Sequence, residues 1–510
     1  MKNLKLDNII GISLFILSLI LLSTMLTLVG LNPSIWFDEA YTFNIMTMSL
    51  KNMLITTARD VHPPLYYLIL QTIFKFLSLF PSTLNIHDTI NAPIQHEIYI
   101  YIGKLVSLVP LICLIIFSFK NLRKEFGWLT TGIFAFCVVT MPKMMLYSVQ
   151  VRMYSWTVLF LTLSLYYAYM IIKEPNKNKN WVIFALFSLM AAYTHYYTTI
   201  ATAIIYLLLV TYIIKENRIL LKKWILTTTI TALFYLPWVL VFISQSEYVK
   251  SSSYGWWIQP TSQDIIDTIS SICSPMNIID KYALNSVAIV LFICLVISFV
   301  SYIILIYYKK TERKNIILSL GGVIVLIATM SFATIFSYTV KPMFYSRYTV
   351  VCLGCLWLSF SVVLSKIHSK KIIFAPILII IIFTGMINTI SFINDQNQLK
   401  TSYSDFKEYA NKINENDTII TIGSDYLIKF YLKKNHIIKW NNSNSSITSE
   451  IKKAIKNNKI WIFNMGQEIY DFNETMITKG YELEEVKKIS PMSNSYPYEI
   501  YLLNKKNNNL

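Results

Sequence analysis

The sequence predicts a polytopic α-helical membrane protein carrying a small α/β domain at its C-terminal end. Three observations lead there. Of 510 residues, 55% are hydrophobic and only 14% charged, where a soluble domain has about 25% charged residues. Apolar runs of spanning length recur from residue 9 to residue 393. From about residue 395 the composition turns to Asn, Lys, Asp and Glu with short apolar runs. The expected domains are therefore 1–394, in the membrane, and 395–510, outside it.

The first run, Ile9–Val29, is long enough to span and no small-residue cleavage site follows it, so it reads as a retained helix rather than a signal peptide. Further runs fall at 99–119, 129–147, 153–172, 181–193, 197–214, 224–243, 284–308, 316–337, 348–365 and 372–393. The run at 181–193 is short for a span. Leu65–Phe80 is set apart by charge. If it lies at the membrane surface, short loops rich in Lys and Arg alternate with longer loops poor in cations: Lys120, Arg123 and Lys124 fall on one side, as do Lys215, Arg218, Lys222 and Lys223. The positive-inside rule makes that side cytoplasmic. This gives about eleven spans, a cytoplasmic N-terminus and an extracytoplasmic C-terminal domain. Met46–Ile55 reads as a second interfacial helix. In the outer domain, Asp405–Ile413, Tyr426–Lys434 and Ile447–Lys456 read as helices, and Thr418–Ile422, Lys459–Asn464 and Tyr498–Leu503 as strands.

The formal net charge of +17 does not indicate nucleic acid, because the cations sit in short loops between spans. Six cysteines are too few for a disulfide scaffold. Cys352-x-x-Cys355 has metal-like spacing but no second pair to complete a site. Gly321-Gly322 lies inside a span and makes no phosphate loop.

Nearly every unusual polar residue of the membrane half falls on the outer side. Asp38, Glu39, Asp60 and His62 belong to the first outer loop, which runs from Trp36-Phe37-Asp38-Glu39-Ala40 to Asp60-Val61-His62-Pro63-Pro64. Gln150, Arg152 and Tyr154 occupy the next outer turn. His195 follows, in Thr194-His195-Tyr196-Tyr197. A long loop holds Trp256 and Trp257, and the last outer turn holds Arg347-Tyr348. Lys104 lies within a span near its outer end, where ionisable residues are costly and commonly functional. Arg152 and Arg347 offer planar forks suited to phosphate oxygens, and Lys104 and His195 can add donors. A phosphate at that depth is most naturally a lipid headgroup. A carboxylate near it can take the proton of an acceptor hydroxyl, a role worth about 10²–10⁴ in rate. Asp38 and Glu39 are adjacent and would point about 100° apart on a helix, so one of them is the base. Tyr154 and Trp257 are aromatic faces for a sugar or acceptor. No motif requires a divalent metal, although the carboxylate and histidine loops have the ligand types to hold one.

Taken in order, Trp36-Phe37-Asp38-Glu39-Ala40, Asp60-Val61-His62-Pro63-Pro64-Leu65-Tyr66-Tyr67, Arg152-Met153-Tyr154, Thr194-His195-Tyr196-Tyr197 and Arg347-Tyr348 resemble the GT-C glycosyltransferases. The nearest group is glycosyltransferase family 39 with its bacterial relatives, the protein O-mannosyltransferase-like and lipid A aminoarabinose transferase-like enzymes. The resemblance covers residues 36 to 348 and leaves the C-terminal domain uncovered. It implies a polyprenyl-phosphate sugar donor, a cell-envelope acceptor, catalysis on the extracytoplasmic face of the plasma membrane, and Asp38 as the base. Many relatives carry an acidic residue two positions before the Arg of the second outer turn. Here that position is Gln150, which speaks against a mechanism or metal site needing a second carboxylate there.

Plainer readings stand beside these. Asp38 and Glu39 form a charge pair favourable to a helix N-terminus. His62 before two prolines shapes a turn. His195 and Trp257 suit an aromatic belt, and Arg152, Arg347 and Lys104 can snorkel. At the level of the whole chain, a transporter or lipid-linked glycan flippase would share the span count. It would, however, place its polar residues and helix breaks near the midplane of paired repeats, and no repeat is visible. A non-catalytic envelope-assembly protein is the third reading, one in which the first-loop Asp-Glu is dispensable.

Overall fold

The computed structural model describes residues 2–77, 93–251, 259–274, 281–308, 315–340, 342–423, 426–432, 435–440, 459–465, 470–477, 481–489 and 498–505. The helices are α1 (Lys2–Gly30), α2 (Phe37–Met46), α3 (Leu50–Ala58), α4 (Leu65–Leu77), α5 (Pro93–Phe117), α6 (Arg123–Thr140), α7 (Met144–Val149), α8 (Tyr154–Lys173), α9 (Asn178–Ala192), α10 (Tyr196–Glu216), α11 (Leu221–Ser251), α12 (Ser262–Cys273), α13 (Lys281–Tyr308), α14 (Ile316–Thr339), α15 (Leu353–Lys366), α16 (Lys371–Ala410), α17 (Tyr426–Tyr431) and α18 (Tyr470–Ile477). The strands are β1 (Thr418–Ile422), β2 (His436–Lys439), β3 (Ile460–Met465), β4 (Tyr481–Ile489) and β5 (Tyr498–Lys505).

Among the described residues, nine helical stretches are long and apolar enough to cross a membrane, and the chain is a multi-pass membrane protein. Every run expected to span falls on a helix. The stretch Glu97–Thr140 carries two of them, joined through a π-helical turn at Ser118–Leu122 and a bend at Gly127, whose φ of 82° suits glycine. There the Arg123 guanidinium lies over the rings of Phe119 and Trp128, at 4.1 and 5.2 Å. The short run at 181–193 lies on α9, of 15 residues. Helix α4 is described over 13 residues, about 20 Å; residues 78–80 of the run are outside those described.

Some boundaries differ from expectation for identifiable reasons. The run 129–147 breaks at Thr140, because Met141 precedes Pro142 and is held extended; α7 then forms separately. The second interfacial helix begins at Leu50 rather than Met46, because the Ser49 Oγ caps it by accepting from Asn52 N at 3.3 Å. The span 372–393 and the helix 405–413 are one 40-residue helix, α16; no Gly or Pro interrupts residues 394–405. Tyr426–Lys434 is helical only to Tyr431. The expected helix at 447–456 lies outside the described residues.

The chain forms two compact units. The first comprises Met1–Thr27, Met48–Leu70 and Lys104–Asn394; the second comprises Leu28–Thr47, Gln71–Gly103 and Asp395–Leu510. In the first unit, α14 and α15 pack at a distance that only glycine permits. The Gly322 amide donates to Ser359 Oγ at 2.8 Å, and that hydroxyl donates to Leu318 O at 2.6 Å. A Cβ on Gly322 would lie 2.0 Å from the Cys355 carbonyl oxygen. Small residues admit such backbone approach between membrane helices.

The second unit is built on a mixed sheet of order β2-β1-β3-β5-β4. β1 pairs in parallel with β2 and β3, while β5 runs antiparallel to both β3 and β4. The three strands read from sequence are β1, β3 and β5. β2 and β4 were not expected, because His436–Lys439 is short and Tyr481–Ile489 is largely charged. Ile420, Ile462, Phe472, Met476 and Leu503 form the core on one face. Across the other, Phe406 of α16 meets Phe463 with ring centroids 6.2 Å apart.

Gly322→Ala is expected to destabilise the first unit by about 1–3 kcal/mol, the usual cost of overpacking, because backbone opposes the added carbon. Gly321→Ala meets only the movable Leu165 side chain and should cost less. Thermal unfolding of both variants in one detergent checks the order.

Candidate functional site

In the first unit, the Asp60–His62 segment, the Gln150–Tyr154 turn, the start of α10 and the 343–348 turn converge. Each is fixed by local chemistry. The Leu65 amide donates to Tyr193 O at 3.1 Å, which ties the segment after His62-Pro63-Pro64 to the turn before His195. The approach to Asp60 is clamped from α11: Gln245 Nε2 donates to Thr57 O at 2.9 Å, and the Gln245 amide oxygen accepts from the Tyr196 hydroxyl. Trp238 Nε1 donates to the same hydroxyl at 3.1 Å. The turn carrying Arg347 is held by Tyr197, whose hydroxyl donates to Met343 O at 2.9 Å, and by Ser337 Oγ, which accepts from Met343 N and Phe344 N at 3.0 and 2.9 Å.

The result is a buried cluster. His62 and His195 are 5% and 2% exposed, with ring centroids 5.1 Å apart. Tyr348 packs edge-on against both, at 6.2 and 4.8 Å. Tyr154 is fully buried and its ring lies 6.0 Å from His195 and 4.9 Å from Tyr147, so it backs the imidazole and offers no free face to a sugar. Arg152 is 3% exposed, set in a tight turn by its amide donating to Gln150 O at 2.7 Å. The Arg347 guanidinium lies over the Tyr345 ring at 4.6 Å.

The charges that act on the two imidazoles are positive. Burial, then the charges of Arg152, His195 and Arg347, hold His62 well below the ordinary histidine range. Burial, then Arg152 and Arg347, push His195 down to about 3. Both imidazoles are therefore neutral at pH 7. His195 Nδ1 accepts from Tyr197 N at 3.1 Å as the cap of α10, which puts its proton on Nε2. That Nε2, His62 Nδ1 and both amide atoms of Gln150 have no partner among the described residues. A buried polar group left unpaired costs about 1–3 kcal/mol. Several of them beside two guanidinium groups form a site shaped for an anionic, oxygen-rich ligand.

Lys104 is buried on α5 but is not among the charges acting on the two imidazoles. Asp60 lies in the same unit, its Oδ2 buried. Trp257 is outside the described residues. Among those that are described, no three His, Cys, Asp or Glu side chains converge as a metal would require. Gln150 was read as a missing carboxylate rather than as a donor and acceptor. One residue escaped the sequence reading as a site member. Lys143, masked in the sequence by an apolar run, proves to carry a φ of 67°, the one positive φ outside glycine among the described residues.

Asp38 and Glu39 belong to the second unit, in the first turn of α2. Glu39 is 1% exposed and its carboxylate accepts from Trp36 N at 3.0 Å, closing the helix start. Asp38 is half-buried. Asp38 makes no such contact with Trp36 N. Helix α2 is itself held by α17: Tyr426 packs edge-on between Phe37 and Tyr41, at 5.1 and 5.4 Å, Phe430 meets Phe43 at 5.3 Å, and Tyr431 donates to Pro33 O at 3.2 Å.

Comparison with solved structures gives the fold. Over 96% of this chain and 97% of the other, it matches ArnT from Cupriavidus metallidurans in the apo state, with a TM-score of 0.58 and 10% identity. It matches the same protein bound to undecaprenyl phosphate over the same shares, with a TM-score of 0.54 and 9% identity. The fold is the GT-C fold of ArnT. An oligosaccharyltransferase from Archaeoglobus fulgidus in complex with zinc and sulfate follows at a TM-score of 0.43 and 11% identity, over 87% of this chain and 68% of that one. No family model and no curated protein matches the sequence.

Two outcomes follow. Unfolded histidines titrate near 6.5, so as pH falls the unfolded state binds protons that the folded His62 and His195 refuse. Stability is complete above about pH 6.5 and declines toward pH 3; at pH 5 His195 alone should have lost about 2 kcal/mol. Thermal unfolding from pH 7.5 to 4.5 should show the decline, and His195→Gln should flatten it. In the second unit, Tyr426→Ala removes an aromatic pairing worth about 1 kcal/mol. Hydrogen exchange at the amides of α2 should quicken, with no change at the amides around His195.

Proposed function

We propose that this protein is an integral-membrane glycosyltransferase. It moves a sugar from a polyprenyl-phosphate donor to a hydroxyl of a cell-envelope glycan, lipid or protein, on the extracytoplasmic face of the plasma membrane. The observation that carries the reading is the approach of buried Arg152 and half-buried Arg347 to two neutral imidazoles, in a fold shared with a protein crystallised with undecaprenyl phosphate. The alternation of basic loops supports a cytoplasmic N-terminus and places residues 395–510 outside.

In this reading the two guanidinium groups hold the donor phosphate by charge-assisted hydrogen bonds. His195 Nε2–H and the Gln150 amide supply neutral donors, which bind oxygen without adding a charge to be desolvated. Asp38 takes the proton of the acceptor hydroxyl as its oxygen attacks the anomeric carbon. The bond from that carbon to the phosphate oxygen breaks, and the electron pair leaves on the lipid phosphate, where the arginines stabilise the growing charge. The transition state has oxocarbenium character, and a single displacement inverts the anomeric configuration. Glu39 acts indirectly, by fixing the turn that presents Asp38.

The test uses the full-length protein in liposomes with labelled polyprenyl-phosphate sugars and crude envelope acceptor. Asp38→Asn should lower transfer by about 10²–10⁴ while leaving donor binding intact. Arg152→Ala should weaken donor binding itself. Transfer unchanged in Asp38→Asn would remove Asp38 as the base. A product with the donor's own anomeric configuration would exclude single displacement. Lipid movement between leaflets without sugar transfer would replace the reading with a flippase.

A further inference from the structure

A second polar recess lies in the first unit, lined by Lys143, Tyr147, Ser271, Ser346, Arg347 and Thr349 over an apolar floor. Its lining holds two cations and no carboxylate. The Lys143 ammonium has no hydrogen bond or ion pair among the described residues. Burial pushes it below the ordinary lysine range, as expected of a cation drawn partly out of water with nothing opposite it. Its backbone is left-handed, a conformation that costs any residue with a Cβ. The strain sits between Pro142 and α7 and turns the lysine toward the recess that Arg347 also lines. Backbone strain kept at such a place points to a ligand.

Arg347 connects this recess to the imidazole cluster. Its charge acts on both His62 and His195, and its side chain lines the recess with Lys143. A guanidinium has donors on two edges and can hold two oxyanions at once. We propose that the Lys143 recess is a second oxyanion subsite of the donor site, so that the natural donor carries two anionic groups. The second is either the further phosphate of a lipid diphosphate linkage or the carboxylate of an acidic sugar. The assignment deepens the proposed function and rests on its placing the first phosphate by Arg152 and Arg347. The Ser346 hydroxyl, which also lines the recess, adds a donor suited to either group.

The experiment measures binding, because the acceptor is unidentified. Full-length protein in nanodiscs is titrated with undecaprenyl phosphate, undecaprenyl diphosphate and undecaprenyl-phosphate glucuronic acid. Wild type should bind one of the two doubly anionic lipids at least about tenfold more tightly than the monophosphate, and which one names the second group. Lys143→Gly should abolish that preference, leave the monophosphate Kd within about twofold, and keep or raise Tm, since glycine accepts the left-handed backbone. Equal affinity of wild type for all three lipids overturns the subsite. So does a Lys143→Gly variant that weakens all three alike, which would assign Lys143 to the first phosphate, or one that changes none. If wild type binds no lipid, or Arg152→Ala leaves monophosphate binding unchanged, the underlying donor reading fails, and the subsite fails with it.

Discussion

The structure depends on burying positive charge beside imidazoles that stay neutral. Arg152 is 3% exposed, and a guanidinium cannot shed its proton to escape the low dielectric. The neighbouring histidines can, and burial with the two arginine charges makes them do so. The outcome is a cluster in which two guanidinium groups lie near neutral imidazoles. Its geometry is set from outside by hydrogen bonds of Tyr197, Ser337, Gln245 and the Leu65 amide. These clamps come from four separate stretches of chain, which is why the cluster keeps its shape.

The second unit shows a different economy. Helix α2 has ten residues, too few to be stable alone. Glu39 closes its N-terminus and Tyr426, Phe430 and Tyr431 of the C-terminal domain pack along it. Nearby, Glu97 accepts from Tyr403 and Lys407 of α16, at 3.0 and 2.7 Å, and Asn32 donates to Gln396 at 2.8 Å. The C-terminal domain, which matched no motif, therefore supports the loop that carries Asp38. Its sheet is the platform and α17 the contact.

Much of this was legible in advance, and the limits have physical causes. The long helices were visible because spanning hydrocarbon demands an apolar run of fixed length, so composition and length suffice. The expectation that the polar residues share one face of the membrane came from counting charges in loops. Hidden features were those set by packing. Glu39 and Asp38 look alike in sequence, and only the hydrogen bond to Trp36 N shows that Glu39 is the one that closes the helix start. Gln150 looks like a loss until both ends of its amide are found buried without partners. Tyr154 reads as a ligand face, yet neighbouring rings cover it. Strand β4 hides behind a run of charges because one of its faces lies toward solvent.

The sequence by itself determined that the chain lies in a membrane, which of its stretches are long helices, that a small α/β domain follows them, and which residue types are gathered at loop ends. Those properties depend on local composition and on transfer of side chains between water and lipid. The tertiary structure alone decided which of the gathered residues meet: that His62 and His195 pack together within the charge of Arg152 and Arg347, that Lys143 lines the recess Arg347 also lines, and that α17 braces the helix of Asp38. Charge, strain and unpaired hydrogen bonds have consequences only at distances of a few ångströms, and such distances between residues far apart in the chain exist only once the helices have packed.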